Sequence, residues 1–174
     1  MQIPETTQQL KKSISKGDTL HLFYIPYAPK QIKTADDLTY FSFRFGEMHQ
    51  TQGAVVGTPL DGPYELFYKR ILLAKGNYNK GLKNGLWYQW NVDGLLMSVI
   101  EYRNGKRNGL SKFYGPEGEV EKFQQYKNDL KQGIGLYENA GKAYYLKYRA
   151  GEVIDTLETL SKAQQLRYGL GNIR

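Results

Sequence analysis

The sequence predicts a mainly β protein: an elongated single sheet of stacked β-hairpin repeats with a period of about 23 residues and short capping helices at the termini. Segments 78–94 and 102–118 are two copies of one unit. Six residue types recur between them at a constant offset of 24: Tyr78, Gly81, Asn84, Gly85, Leu86 and Gly94 match Tyr102, Gly105, Asn108, Gly109, Leu110 and Gly118. A constant offset of this size is the signature of a repeat array.

Each unit is predicted to form one β-hairpin. Glycine accepts positive φ, so we expect the recurring glycines at turns. An aromatic-rich run with strand propensity follows Gly85, and Asp93-Gly94 then predicts a tight hairpin tip. Segment 95–102 supplies the return strand, and a Gly-rich turn joins the next unit. One hairpin cannot bury its own apolar face, so the stacked array is the expected folding unit.

The N-terminal 19 residues are predicted to be a helix and a lead-in. In segment 1–17, Leu10 and Ile14 form one apolar stripe, Gly17 ends the helix, and lysines make its other face basic. Segment 20–27 follows as a strand that Pro26 restricts to an edge or a strand end.

The repeat array is predicted over 20–154, degenerate over 20–54 and clearest over 55–151. Segment 38–45 alternates aromatic and polar residues, Gly46 turns the chain, and 47–56 returns, which predicts a degenerate unit of the same array. The later units start at Val55, Tyr78, Tyr102, Tyr126 and Tyr148.

The period changes after the array, and 155–174 is predicted to be a C-terminal capping helix and tail. Leu157, Leu160, Ala163 and Leu166 recur at helical spacing, and Asp155 with Glu158 resembles a capping box. The terminal helices either cover the terminal hairpins or dock a partner.

The motif Y-x-x-G-x-x-x-G, an aromatic run and then D/E-G resembles MORN repeats. It is closest to the bacterial variant found in antitoxin-like and cell-envelope proteins. The resemblance implies an elongated sheet of stacked hairpins. It implies no enzyme, because the repeat carries no chemistry of its own.

Composition limits the classes of function. The chain has 174 residues, a net charge of +7 and a pI of about 9.4, which favours an acidic protein, an anionic membrane surface or nucleic acid as partner. We do not expect nucleic acid, because no helix-turn-helix, zinc-finger or RNP-like motif is present. The chain has no cysteine, which excludes disulfides and thiol catalysis.

We expect no enzyme, cofactor or metal site. The motifs of serine hydrolases, P-loop enzymes and zinc proteases are missing. The two histidines, His21 and His49, lie in no metal-ligand or triad spacing and are expected to be structural. Asp36-Asp37 is expected to form a turn or a cap.

A basic column is the first candidate site. Lys83, Arg107 and Lys131 hold one position in three successive units, and four more cations lie nearby: Lys80, Arg103, Lys106 and Lys127. In a regular array these side chains line one edge and could bind an acidic partner or anionic headgroups. The alternative is that exposed turns are simply charged.

Aromatic columns are the second candidate. One contains Phe43, Phe67, Trp90 and Tyr114, and the other Tyr40, Tyr64 and Trp87. On a single-layer sheet one column must pack, which leaves the other available for partner binding. The candidates are Trp87, Trp90, Tyr64, Phe67 and Tyr114. Which column is exposed stays open.

The expected function is a non-catalytic protein–protein interaction scaffold. The resemblance implies a subunit of a bacterial envelope or secretion assembly, or a toxin-neutralising protein. The alternative is a binding module for anionic membrane lipid or cell-wall glycan. A homo-oligomer is compatible with either. If Met1 is the native start, the polar N-terminus predicts a cytoplasmic protein, and if a signal or lipoprotein segment has been removed, we expect a periplasmic or outer-membrane location.

Overall fold

A computed structural model describes residues 8–139 and 142–168. In chain order, its strands and its helix are β1 Gln9–Lys16, β2 Thr19–Pro26, β3 Thr39–Arg44, β4 Glu47–Gln52, β5 Thr58–Pro59, β6 Gly62–Tyr68, β7 Ile71–Asn79, β8 Leu82–Trp90, β9 Leu96–Arg103, β10 Lys106–Tyr114, β11 Val120–Lys127, β12 Leu130–Asn139, β13 Lys142–Arg149, β14 Glu152–Leu157 and α1 Lys162–Arg167. The predicted mainly β fold class is confirmed.

Most strands form one long antiparallel sheet. Its eleven strands lie in the order β1-β2-β6-β7-β8-β9-β10-β11-β12-β13-β14, so from β6 onward neighbours in sequence are neighbours in space. Within the described residues the sheet is open, with β1 and β14 as its two edge strands. The predicted stack of hairpins is therefore a continuous meander.

A second, three-stranded sheet interrupts this order. It has the order β4-β3-β5 and is inserted between β2 and β6. The expectation that segment 38–56 is a degenerate unit of the same array is therefore wrong. The aromatic alternation does mark a strand, but its rings pack against the long sheet instead of extending it: Phe43 lies 5.5 Å from Phe23 and Phe41 lies 5.0 Å from Tyr78 between ring centroids.

The predicted N-terminal helix is wrong within the described residues. Gln9–Lys16 is strand β1, which pairs antiparallel with β2. Leu10 and Ile14 are four residues apart, a spacing that suits one face of a helix and one face of a strand equally well. Pairing with β2 packs the partly buried Ile14 against the core, and this contact stabilises the strand. Residues 1–7 of the predicted helix lie outside the described residues.

The C-terminal helix is shorter than predicted. Strand β14 continues to Leu157, past the expected start at Asp155, because its β-branched residues suit a strand. Helix α1 spans only Lys162–Arg167, and its capping box uses Ser161 and Gln164 in place of Asp155 and Glu158. Residues 169–174 of the predicted tail lie outside the described residues.

Two hydrophobic clusters stabilise the long sheet from opposite faces. One contains Trp87, and the small sheet packs against it. The other contains Phe123 and is covered by Leu160 and Tyr168 of the C-terminal segment. The strand register pairs Trp87 with Ile100, Ile100 with Ser111 and Ser111 with Gln124, so these side chains lie on one face of the sheet. Phe123 precedes Gln124 and points to the opposite face, because successive strand residues alternate. We call the two sides of the long sheet the Trp87 face and the Phe123 face.

The recurring glycines have two roles. Lys80-Gly81 and Asn104-Gly105 have positive φ at both residues, as in the two-residue turns that suit the strand twist. The second glycine of each unit, also expected at a turn, lies inside a strand instead. Gly109 has a φ of +121° where the pairing of β9 with β10 shifts register. Glycine is required there because this bulge needs positive φ.

Candidate functional site

The predicted basic column couples successive units. Each of Lys83, Arg107 and Lys131 faces the tyrosine of its own unit across the strand pair, as Arg107 faces Tyr102. The charged group of each side chain, however, lies over the tyrosine of the following unit. The distances to the ring centroids are 5.3 Å for Lys83 over Tyr102, 4.2 Å for Arg107 over Tyr126 and 4.9 Å for Lys131 over Tyr148. The column is therefore partly structural.

The same residues also hold the next turn through the backbone. The carbonyls of Lys83, Arg107 and Lys131 accept hydrogen bonds from the next turn's N–H at 2.9, 3.0 and 2.9 Å, donated by Gly105, Asp129 and Gly151 respectively. The side chain beside the bulge glycine adds a second bond. Asn84 Oδ1 accepts from the Asn104 N–H at 3.3 Å. Gln132 Oε1 likewise accepts from the Ala150 N–H at 3.0 Å, so these bonds favour an amide side chain beside the bulge.

Lys83 does not belong to an open stripe. Its ammonium lies 4.5 Å from the Trp87 ring and 5.7 Å from the Phe41 ring, between the long sheet and the small sheet. Burial lowers the pKa of Lys83 because desolvation disfavours the charged form. It lines a cavity of about 200 Å³ together with Tyr102 and Gln50.

Among the described residues, some of the other predicted cations have a carboxylate partner and some do not. Arg107 Nε donates to Asp129 at 2.9 Å, and Lys106 Nζ donates to Asp37 at 2.5 Å. The Lys106 hydrogen bond lowers the pKa of Asp37. The remaining three, Lys80, Arg103 and Lys127, are exposed at the edge of the long sheet formed by the two-residue turns.

The structure also separates the predicted aromatic residues. Tyr64 and Trp87 are 7% and 5% exposed and belong to the core, so theirs is the packing column. Burial raises the pKa of Tyr64 to about 12. The others, Phe67, Trp90 and Tyr114, are half-buried. Trp90 stacks on Tyr88 with ring centroids 5.8 Å apart, on the Phe123 face.

An alternation of rings and cations lies on the Trp87 face of strands β10–β13. We call it the ring–cation ladder, and its members in spatial order are Phe113, Lys122, Tyr137, Lys131 and Tyr148. Lys122 Nζ lies 5.7 Å from the Phe113 ring and 5.4 Å from the Tyr137 ring. Lys131 Nζ lies 5.1 Å from the Tyr137 ring and 4.9 Å from the Tyr148 ring.

Sequence reasoning found only Lys131 of this ladder. The other members lie outside the repeat columns or, as Tyr148, are recognisable in the sequence only as the start of a unit. A signal was present in the hairpin of β10 and β11, where Phe113 faces Lys122 across the strand pair. Linking that pair to Tyr137 requires the register across the β12 bulge, which the repeat pattern does not reveal.

The buried side-chain amide of Gln124 fixes the position of Tyr137 at the centre of the ladder. Tyr137 OH donates to Gln124 Oε1 at 2.8 Å, and Gln124 is fully buried. Gln124 Nε2 in turn donates to the backbone carbonyls of Gln125 and Gln132. At the end of the ladder, Lys131 Nζ donates to Tyr148 OH at 3.4 Å. Hydrogen bonding with Tyr137 raises the pKa of Lys131, so its ammonium stays charged at neutral pH.

The ladder is open to solvent on one side. Among the described residues, no strand or helix covers this part of the Trp87 face, since the small sheet packs on the other half and the C-terminal segment packs on the Phe123 face. Within the same residues, neither Lys122 nor Lys131 has a carboxylate within 4 Å. Two uncompensated cations between rings suit carboxylates flanked by apolar groups.

Over the described part of the chain, no cluster of His, Cys, Asp and Glu could hold a metal ion. No helix in that part is long and apolar enough to cross a membrane.

Fold and surface together define an open β-meander repeat protein with a cationic aromatic patch. Comparison with protein-family models and with curated proteins finds no match to this chain.

Proposed function

We propose that the chain is a non-catalytic protein-binding scaffold whose ring–cation ladder binds an acidic protein partner. The observation that carries this proposal is the placement of Lys122 and Lys131 between rings, on a part of the sheet that no described strand or helix covers and without a carboxylate neighbour among the described residues. Rings supply contact area at little conformational cost, and the ammonium groups select for negative charge.

The three rings of the ladder match the enrichment of aromatic residues at protein interfaces. Aromatic residues concentrate binding energy when a partner excludes water from them. The net charge of +7 adds long-range attraction for an acidic partner. A MORN-like repeat identity, and with it a toxin-neutralising role or a place in an envelope or secretion assembly, is part of this proposal.

The test is an affinity pull-down from lysate of the source organism with three baits. They are the wild-type chain, the ladder variant Lys122→Glu/Lys131→Glu and the control variant Lys75→Glu/Lys147→Glu. The control makes the same charge change on the Phe123 face. Circular dichroism first establishes that all three fold.

We expect one stoichiometric acidic protein on the wild type and the control, and at least tenfold less on the ladder variant, as for the loss of two charged contacts of roughly 0.7 kcal/mol each. Equal capture by all three baits would contradict the proposed site. Absence of a protein partner, with sedimentation of the wild type on anionic vesicles, would replace this function with membrane-surface binding.

A second candidate is glycan binding, which the stacked pair Tyr88 and Trp90 favours. These half-buried rings are nearly parallel, with an interplanar angle of 17°, and sugar rings stack on such faces. Titration with cell-wall oligosaccharides would change the fluorescence of wild type but not of a Trp90→Leu variant. Such binding would persist at high salt, unlike binding at the ladder.

A further inference from the structure

The two edge strands of the long sheet carry opposite charge. Strand β1 contains three lysines and no acidic residue: Lys11, Lys12 and Lys16. Strand β14 contains Glu152 and Asp155 and no basic residue. We propose that copies of this chain assemble head to tail, with β1 of one copy pairing with β14 of the next.

Both strands present backbone groups for this pairing. In the described structure β1 pairs only with β2, and β14 pairs only with β13, so one side of each strand has no neighbour in the sheet. Such an edge is a template for another strand. The β1 edge has eight residues and the β14 edge has six, so most of β14 can be matched.

The β14 edge is also apolar where it is open. Val153 is 52% exposed and Ile154 is 45% exposed, although both are β-branched residues that suit a sheet interior. Lysines on an edge strand usually block edge association, which is the alternative explanation for β1. That explanation does not account for β14, which has no lysine and exposes apolar residues.

Charge selects which edges can meet. Two β1 edges repel through their lysines, and two β14 edges repel through their carboxylates, so neither symmetric dimer is favoured. Only the pairing of β1 with β14 brings opposite charges together. That contact joins different surfaces, and a head-to-tail contact that does not close produces an open chain of copies.

A charge exchange tests the proposal. The first variant, Lys11→Glu/Lys16→Glu, makes the β1 edge acidic, and the second, Glu152→Lys/Asp155→Lys, makes the β14 edge basic. The third variant combines all four changes and so restores opposite edges with the charges exchanged. All substituted side chains are exposed, and circular dichroism confirms the fold of each variant.

Sedimentation velocity at low salt over a range of concentrations gives the readout. We expect the wild type to exceed the monomer mass of 20.0 kDa in steps as its concentration rises. Each two-site variant should associate ~10-fold more weakly, and the four-site variant should regain association. An equimolar mixture of the two two-site variants should associate as well, because each supplies the edge that the other needs.

Three results would overturn the proposal. A wild type that stays monomeric at all concentrations would show that the edges do not pair. Association that the two-site variants leave unchanged would place the contact elsewhere. Association that stops at a dimer in the wild type would indicate a closed symmetric interface.

Discussion

Arg107 and Asp129 belong to successive repeat units and are joined by three hydrogen bonds. The Asp129 N–H donates to the Arg107 carbonyl at 3.0 Å, and the Asp129 carboxylate accepts from the Arg107 N–H at 3.1 Å and from Nε at 2.9 Å. Other turns along this edge have glycine in the position of Asp129, and Asp129 adopts a φ of +68° there. Side-chain bonding therefore compensates for an unfavourable backbone conformation.

We expect Asp129→Ala to destabilise the protein by about 1–2 kcal/mol, because it leaves the Arg107 donors without their acceptor and retains the positive φ. Asp129→Gly should be less harmful by about 0.5–1 kcal/mol, since glycine accepts this φ. Urea denaturation measures both free energies of unfolding. An Asp129→Gly variant as unstable as Asp129→Ala would show that backbone strain at this turn is negligible.

Gly76 should not tolerate alanine. Its φ is ordinary, but an added Cβ would lie 2.3 Å from the Trp87 ring. We expect Gly76→Ala to cost about 1–3 kcal/mol, and the cost should shrink in a Trp87→Leu background, where the ring is gone. Thermal and urea unfolding of the double-mutant cycle gives the coupling energy.

The control for this cycle is Gly94→Ala at a hairpin tip. Gly94 has a φ of +81° and nothing within 4 Å of an added Cβ, so its cost of about 1 kcal/mol should come from backbone strain alone. It should be the same with Trp87 or Leu at position 87. If the Gly76→Ala cost were likewise independent of Trp87, the proposed contact between Gly76 and the ring would be wrong.

Lys83 should make stability depend on pH in the alkaline range. Burial lowers its pKa, so the folded state disfavours the ammonium and the unfolded state binds the proton more strongly. Wild-type stability relative to a Lys83→Met variant should therefore rise as pH increases from 7 towards 10.5, the ordinary pKa of lysine. Urea denaturation across this range is the measurement. A relative stability that falls with pH would mean that the surrounding rings stabilise the cation more than burial disfavours it.

His21 should make the stability of the protein depend on pH in mild acid. Burial lowers its pKa below 6.5, and its Nδ1 lies 3.0 Å from Tyr64 OH. Because the unfolded histidine binds the proton first, stability should fall as pH decreases from 7.5 through 6.5 to 5.5. In a His21→Gln variant, whose amide can still bond Tyr64, the melting temperature should change less over this range. Equal slopes in the two proteins would exclude His21 as the titrating group.

The repeat period was predictable from sequence because its causes lie within one unit or between adjacent units. The two-residue turns need positive φ, which favours glycine, and the amides of Asn84 and Gln132 bond the following turn, so these requirements act at the offset of the array. The hairpins from β6 onward follow from these local requirements. The alternation of residues in each strand then fixes which side chains share a face.

The N-terminal strand, the burial of Lys83 and the ring–cation ladder depend on contacts between segments that are distant in sequence. Leu10 and Ile14 fit a helix as well as a strand, and only pairing with β2 decides between them. The burial of Lys83 follows from the small sheet that packs over it. The ladder required the register of three hairpins, including a bulge that displaces Tyr137 relative to the repeat columns. Periodicity within one sequence segment contains none of this information.

Lysine footprinting of the captured complex locates the face of the sheet that binds the partner. Acetylation of the free chain and of the complex, compared by mass spectrometry, reports the accessibility of each lysine. If the ladder is the binding surface, Lys122 and Lys131 should be protected in the complex, while Lys75 and Lys147 on the opposite face remain reactive. Protection of Lys75 and Lys147 with Lys122 and Lys131 unchanged would rule out the ladder as the binding surface and place the partner on the Phe123 face.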